Sequence, residues 1–277
     1  MKIESANASI ETFSDKRVRL GHDVQNIFSQ VLEAVGREGY QSAEATATEE
    51  PLTEQIAQSV SNWFDLELSG RYSSVENRHQ LEQSFGELVV RAHSEGGYID
   101  PKTFLNNLTS DELGVVQEVN FLAKPIQVDS LTEEGALNLL IPPPAQVDLN
   151  RDGLTQTGIG YGIRFPDSST PANVVRAWDA ATQGMTFEEK GLRELQMVLP
   201  VLLANIVTDE NGAYVRHYDP GDPEWVNPMA VAGYSYSKVS QDQLDSLNYF
   251  RSQMNPLRYD EGIQFWSSFQ ERLSANE

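Results

Sequence analysis

The sequence predicts a mainly α-helical protein of the α+β type, a multi-helix globular fold with a small β element around residues 157–165 and 205–218. Apolar residues recur every three or four positions along several segments, which is the period of a helix with one buried face. Several of these segments follow a Ser or Thr with an acidic residue close behind it, a pattern typical of helix starts. Hydrophobic residues make up 39% of the chain, with eleven Phe, ten Tyr and four Trp, which excludes wholesale disorder.

The first half of the chain is predicted to be helical after a polar N-terminal tail. Residues 1–19 have no sustained period and are expected to form a flexible tail or one edge strand, and residues 20–145 are expected to form the helical region. Segment 41–51 is small, polar and acidic, so it is predicted to be a linker or a mobile loop. Capping boxes are expected at Thr109–Glu112 and at Ser130–Glu133. Helices are therefore expected to start near Gly21, Pro51, Val75, Asp100, Thr109 and Ser130.

Residues 146–277 are predicted to hold a cation-binding loop, the small β element and the C-terminal helices. They form either a region of their own or one compact domain with residues 20–145. The longest helix is expected from Glu188 to about Val207, and Pro200 should kink or divide it. Asn211-Gly212 predicts the turn of a hairpin. One side of the long helix carries Leu192, Leu195, Leu199, Leu202, Leu203 and Ile206.

The stretch with the most specific chemistry is the loop from Asp148 to Leu154. Side-chain oxygens occur at alternate positions, in Asp148, Asn150 and Asp152, and Gly153 tolerates the positive φ of a tight bend. A hard cation such as Ca²⁺ takes six to eight oxygen ligands. The pattern therefore predicts part of a calcium site.

This loop resembles the calcium loops of the EF-hand and dockerin families and the Asp-x-Asn-x-Asp-Gly loops of FG-GAP-type β-propeller repeats. The resemblance covers about a dozen residues. It implies that Asp148, Asn150 and Asp152 are side-chain ligands, that Gly153 is the turn glycine, and that Leu154 binds through its backbone carbonyl.

The chain departs from these families after Leu154. Gln156 lies where dockerin and FG-GAP loops usually have Asn or Asp, and Ile159 replaces the closing acidic residue. The missing carboxylate could come from elsewhere in the sequence, and the candidates are Asp209, Asp219 and Asp222. The alternative interpretation is a metal-free turn that binds its own backbone N–H groups through Asp and Asn side chains.

Composition excludes several other functions. The chain has no cysteine, so disulfides, thiolate catalysis and cysteine-based zinc sites are excluded. Its formal net charge of −21 argues against nucleic-acid and membrane binding and favours cations or a basic protein partner. No apolar run is long enough to span a membrane, and no secretory signal is visible, which favours a soluble cytoplasmic protein by default.

The sequence therefore predicts a calcium-binding, non-enzymatic structural or interaction protein in which Ca²⁺ stabilises the fold. No catalytic residue is indicated by a motif. One alternative is a metal-dependent hydrolase whose site is assembled from Asp148, Asp152, His217 and Asp219. The other is a metal-free helical assembly protein, which a large exposed apolar patch would favour.

Overall fold

The computed structural model describes residues 11–275, and the mainly helical fold predicted from the sequence is confirmed. The helices are α1 Phe13–Ala34, α2 Leu52–Glu67, α3 Arg78–Ser94, α4 Pro101–Asn106, α5 Ser110–Val119, α6 Glu133–Asn138, α7 Ala172–Thr182, α8 Phe187–Ala204, α9 Tyr236–Phe250 and α10 Pro256–Ala275. The strands are β1 Thr155–Thr157, β2 Gly160–Gly162, β3 Ile206–Thr208 and β4 Tyr214–His217. They form two separate antiparallel pairs, β1 with β2 and β3 with β4.

Buried side chains form two hydrophobic clusters that follow the chain order. The first contains side chains from α1 to α6 and ends at Val147, directly before the Asp148–Leu154 loop. The second begins at Phe165 and contains side chains of α7, α8 and α10. The loop and the β1–β2 hairpin therefore lie in the segment that connects the two clusters.

The first helix starts earlier than the sequence pattern indicated. The side chain of Thr12 accepts a hydrogen bond from the backbone of Asp15, and the Asp15 carboxylate accepts one from the backbone of Thr12, so this capping box starts α1 at Phe13. Residues 13–19, assigned to the tail, are therefore helical. Residues 1–10 of that tail lie outside the described residues.

Two local predictions need correction. The strand expected at 157–165 is a hairpin, because Gly158 takes φ +61° and turns the chain back between β1 and β2. The predicted capping box at Ser130–Glu133 is wrong in its cap residue: Thr132 caps α6 by accepting from Gly135 N.

Helix α8, predicted to be the longest, has 18 residues and is shorter than α1 with 22 and α10 with 20. It is not divided at Pro200, which lies inside it. Its core-facing residues are Arg193, Met197, Val198 and Val201, while most of the leucines that the pattern placed on one side are exposed. None of the helices within the described residues is apolar over a length that could cross a bilayer.

The Thr109 capping box is confirmed, and it yields a prediction for acid stability. Arg91 Nη1 lies 2.6 Å from Glu112 Oε1, and this pair, with the N–H of Thr109, lowers the pKa of Glu112 to about 2. A carboxyl whose pKa is lower in the folded state stabilises the fold above its unfolded pKa, and this stabilisation is lost as the pH falls through the folded value. Wild type should therefore be more stable than Glu112→Gln at neutral pH, and the difference should shrink from about pH 4.5 towards pH 2. Urea unfolding across this pH range measures it, and a difference that is independent of pH would contradict it.

Candidate cation-binding loop

The side chain of Asp148 closes the Asp148–Leu154 loop by binding backbone N–H groups near the loop's other end. Its side chain is buried, with 6% of the residue exposed. Oδ1 accepts from Asp152 N at 3.2 Å, and Oδ2 accepts from Gly153 N at 2.8 Å. The backbone N–H of Asp148 itself is bound by Ser168 Oγ at 3.0 Å. The backbone N–H and the carboxylate of Asp148 are therefore both held by hydrogen bonds.

The structure brings the three predicted side-chain ligands together. Asn150 Oδ1 accepts from Asp152 N at 2.9 Å, and Asn150 Nδ2 donates to Asp152 Oδ2 at 3.0 Å. Asp152 Oδ1 accepts from Leu154 N at 2.8 Å. These local bonds form the self-bonded turn that was the alternative interpretation of the motif.

Backbone conformation explains why the loop can turn so tightly. Gly153 has φ +87°, as the motif predicted, and Arg151 has φ +57°. A Cβ atom at Gly153 would lie 3.0 Å from the side chain of Asn227 and 3.1 Å from Val201 Cγ1. Glycine is therefore required at this position both for its φ and for the close approach of the second cluster.

Glu134, at the start of α6, is the acidic residue of the site that the sequence did not reveal. Its Oε2 accepts from Leu149 N at 3.0 Å, and its Oε1 accepts from Gln156 N at 2.6 Å. Helix α6 can approach this closely because Gly135 has no side chain: a Cβ there would lie 2.1 Å from the carbonyl oxygen of Gly158. Glu134 thus binds the backbone near the start of the loop and just after its end.

The charges of these carboxyl groups are poorly compensated. Burial raises the pKa of Asp148 to about 7 against the opposing hydrogen bond from Gly153, and the charges of Glu134 and Asp152 raise it further. Burial likewise raises the pKa of Glu134 to about 7, with a further contribution from Asp152. The nearest basic residue in sequence, Arg151, forms its ion pair with Glu38 instead. Three acidic side chains therefore share one partly buried loop.

The loop also contacts the second cluster through its backbone. Trp225 Nε1 donates to the carbonyl of Asp152 at 2.8 Å, and Asn227 Nδ2 donates to the carbonyl of Arg151 at 3.0 Å. Leu149 packs against the first cluster. The loop is thus held from both sides, at the place where the two clusters meet.

Asn138, at the end of α6, holds the two flanks of the loop at a fixed separation. Its amide exchanges hydrogen bonds with the backbone of Val147, at 2.7 and 2.9 Å, and donates to Gln156 O at 2.7 Å. The side chain is fully buried. Together, Asn138 and Glu134 make α6 the support of the whole site.

The oxygen atoms of the loop are the type of ligand that a hard cation prefers. The side chains of Asp148, Asn150 and Asp152 and the backbone of the loop offer oxygen atoms, which Ca²⁺ prefers. Each carboxylate oxygen of Asp148 and Asp152 accepts one hydrogen bond from the loop, so one of its two lone-pair positions is left.

The other acids proposed from the sequence are engaged elsewhere or do not form a site. Asp209 Oδ1 accepts from Asn211 N and Ala213 N inside the β3–β4 turn, and the Asp222 carboxylate accepts from Asp219 N at 2.8 Å. His217 Nδ1 lies 3.5 Å from Asp219 Oδ1. Across residues 11–275, no three His, Cys, Asp or Glu side chains are grouped so that they could hold a metal ion. A cation at the loop would therefore depend on Asn150 and on backbone carbonyls as well as on Asp148 and Asp152.

A groove beside α1 and α7 contains a histidine–aspartate ion pair that the sequence analysis did not predict. His22 Nε2 lies 3.3 Å from Asp179 Oδ2, in a groove of about 700 Å³. Burial raises the pKa of Asp179, and the charge of His22 opposes this shift. Because α1 belongs to the first cluster and α7 to the second, the pair is a further contact between the two halves of the chain.

Comparison with known proteins adds no assignment to this geometry. No family model matches the chain, no curated protein matches it, and no solved structure matches it.

Proposed function

We propose that this chain is a calcium-binding, non-enzymatic structural or interaction protein whose ion lies at the Asp148–Leu154 loop. Asp148, Asn150 and Asp152 supply side-chain oxygens, and Leu154 supplies its backbone carbonyl. Glu134 adds the negative charge that Ile159 does not provide. The bound ion stabilises the place where the two hydrophobic clusters meet.

One observation carries the proposal: the carboxyl groups of Asp148 and Glu134 are buried beside the charge of Asp152, which raises the pKa of both, and backbone N–H groups are their main compensation. Bringing like charges into a partly buried site destabilises the ionised forms. A divalent cation relieves this repulsion, and it does so at a point fixed by Trp225 and Asn227 on one side and by Leu149 on the other. Binding to this loop therefore couples to the folding of both halves.

Thermal unfolding with calcium and with a chelator tests the proposal. An ion that binds only the folded chain stabilises it by about 2.7 kcal/mol when its free concentration is a hundredfold above the dissociation constant. For a chain of this size, we expect the melting temperature to rise by roughly 5–10 °C. An unchanged melting temperature in wild type at millimolar calcium overturns the proposal.

A matched pair of substitutions locates the ion. Asp152→Asn keeps the shape of the side chain and removes one charge from the loop, so the calcium-dependent rise should be lost or strongly reduced. Asp209→Asn makes the same change in the other Asp/Asn/Gly turn, where Asp209 binds Asn211 N and Ala213 N, and should leave the rise intact. An equal loss in both variants would place the ion elsewhere. Calorimetric titration of both variants gives the same comparison without heating.

The assembly alternative has a specific observation in its favour. Phe187, Leu192, Leu195, Leu199 and Leu203 of α8 are all exposed. An extended exposed apolar surface is typical of an interaction site. This function is compatible with calcium binding, since the loop and the exposed face of α8 use different residues.

A further inference from the structure

The groove that contains His22 and Asp179 continues into a second groove of about 810 Å³, which is bordered by α1, α8 and the segment that follows β2. Among the described residues, four Lys or Arg side chains and three acidic side chains line it. The whole chain has 20 Lys and Arg against 41 Asp and Glu. The second groove, defined by Arg17, Arg164 and Lys190 and named the basic groove, therefore reverses the charge balance of the chain.

Three cations of the basic groove lie near one carboxyl group, that of Glu194 in α8. Burial raises the pKa of Glu194, and the charges of Lys190, Arg164 and Arg17 oppose this shift. Opposite charges stabilise the ionised form of a carboxyl group only when they are close to it. The basic groove thus brings together side chains from α1, from α8 and from the segment after β2.

The other two acids of the basic groove already have partners. Glu67 is fully buried and binds Arg17, whose Nε lies 2.5 Å from Glu67 Oε1. Asp179 pairs with His22. These two carboxylates are therefore not free to compensate the remaining cations, which share the charge of Glu194.

Two of the cations keep hydrogen-bond donors that the chain does not use. Lys190 is half-buried, and within residues 11–275 its Nζ forms no hydrogen bond and no ion pair. Arg164 Nη1 donates to Tyr40 Oη at 3.2 Å and to Pro144 O at 3.1 Å, while its Nε and Nη2 have no acceptor among the described residues. A guanidinium group and an ammonium group with unused donors are the usual partners of a carboxylate or a phosphate.

Two helices begin at the basic groove. Thr12, which caps α1, and Thr186, which caps α8, both line it. The first N–H groups of a helix have no partner within the helix and carry a partial positive charge. The acidic residues in the first turns of these helices, Asp15, Glu188 and Glu189, do not line the basic groove. The helix starts therefore add to the positive potential of its lining.

Apolar side chains of the same lining indicate the rest of the ligand. Phe13, Ile163 and Phe187 are exposed by 51%, 45% and 81%, and all three line the basic groove together with Trp63. Small-molecule sites have volumes of about 300–1,000 Å³ and combine an apolar lining with a few polar groups that fix the orientation of the ligand. The basic groove has this size and this composition.

The rest of the chain restricts where an anion can bind and how large it can be. The formal net charge is −21, and the adjoining groove is lined by Glu11, Asp23 and Glu44. A long polyanion, or an acidic membrane surface, would meet repulsion along most of its contact with the protein. A small molecule that fits within the basic groove avoids this repulsion.

We propose that the basic groove binds a small organic anion, with a carboxylate or phosphate group within reach of Lys190 and Arg164 and an aromatic or aliphatic body against Phe13 and Phe187. The basic groove shares no lining residue with the Asp148–Leu154 loop. Anion binding here and calcium binding at the loop can therefore fail independently of each other.

Calorimetric titration of the purified full chain tests the proposal with three probes. Phenyl phosphate and phenylacetate represent the two possible anionic groups, and inorganic phosphate lacks the apolar body. Wild type should bind at least one of the aromatic anions with a dissociation constant below about 1 mM, and inorganic phosphate more weakly. The tighter of the two aromatic anions identifies the anionic group. Wild type that binds neither of them in the millimolar range overturns the proposal, as does inorganic phosphate that binds as tightly as they do.

A matched pair of lysine variants locates the anionic group. Lys190→Gln should weaken binding of the aromatic anion by about tenfold, because one charge-assisted hydrogen bond is lost. Lys190→Arg keeps the charge and should retain binding. Lys238→Gln makes the same charge change in α9, where Lys238 pairs with Asp242 on the surface, and should bind as wild type does. Equal weakening in Lys190→Gln and Lys238→Gln would show an effect of net charge alone and would contradict the proposed site.

A second pair tests the placement of the apolar body and does not depend on the lysine variants. Phe187→Ala should raise the dissociation constant of the aromatic anion by roughly two- to tenfold, since one contact between aromatic rings is lost. Its affinity for inorganic phosphate should stay unchanged. Tyr249→Ala removes a ring that is exposed to a similar degree, 78%, and lies outside the basic groove, so it should leave both affinities unchanged. A Phe187→Ala variant that binds the aromatic anion as tightly as wild type would overturn this placement.

Discussion

Replacing Asn138 with alanine is expected to destabilise the chain by about 3–5 kcal/mol, because three buried backbone groups lose their partner at once. The amide binds the N–H and carbonyl of Val147 and the carbonyl of Gln156, and it is fully buried. When one partner of a buried hydrogen bond is removed, the other partner stays buried and cannot bond to water instead. The loop between Val147 and Gln156 should therefore loosen together with the fold.

Urea unfolding measures this change. Asn106→Ala, an exposed asparagine in α4, is the matched control and should stay within about 0.5 kcal/mol of wild type. Asn138→Asp should cost at least as much as the alanine variant, since a carboxylate would face two carbonyl oxygens without a proton to donate. A stability close to wild type in both Asn138 variants would show that the flanks of the loop are held by other contacts.

Trp178→Ala is the second large effect, at about 3–5 kcal/mol. The indole ring is fully buried, and its centroid lies 4.8 Å from Phe165, 5.5 Å from Phe265 and 5.7 Å from Phe269, with nearly perpendicular ring planes. Truncation removes the centre of this aromatic group and leaves a cavity that three other rings cannot fill by rotating.

The Phe variant separates packing from hydrogen bonding at this position. Trp178 Nε1 has no hydrogen-bond partner among the described residues. Trp178→Phe therefore loses ring volume alone, and it should cost clearly less than the alanine variant. Tyr249→Ala, at a position that is 78% exposed, is the control and should change the free energy of unfolding by less than about 0.5 kcal/mol. Equal costs for the Phe and Ala variants would contradict the packing argument.

Local sequence signals predicted the local structure well. The predicted capping box at Thr109 is present because its bonds join residues three positions apart, a distance at which sequence and structure are tightly linked. The Asp148–Leu154 turn is similar, since the hydrogen bonds that the side chains of Asp148, Asn150 and Asp152 form inside it join residues two to five positions apart. Whether an ion binds there stays a prediction.

Contacts made at long range could not be read from the pattern. Glu134 lies in the first turn of α6, and its position against Leu149 and Gln156 depends on how α6 packs. The leucines of α8 show the same limit. A period of three to four residues identifies an apolar face, but it does not say whether that face meets the core of its own chain or another molecule.

The bonds from Trp225 and Asn227 to the loop have a consequence for the order in which the chain can assemble during synthesis. The donors lie 73 and 76 residues after their acceptors. At a synthesis rate of about 5–20 residues per second, they emerge roughly 4–15 s later. The helices up to α6 can collapse before then, while the carbonyls of Arg151 and Asp152 remain hydrated. The segment that links the two clusters is thus among the last parts of the molecule to reach its final set of partners.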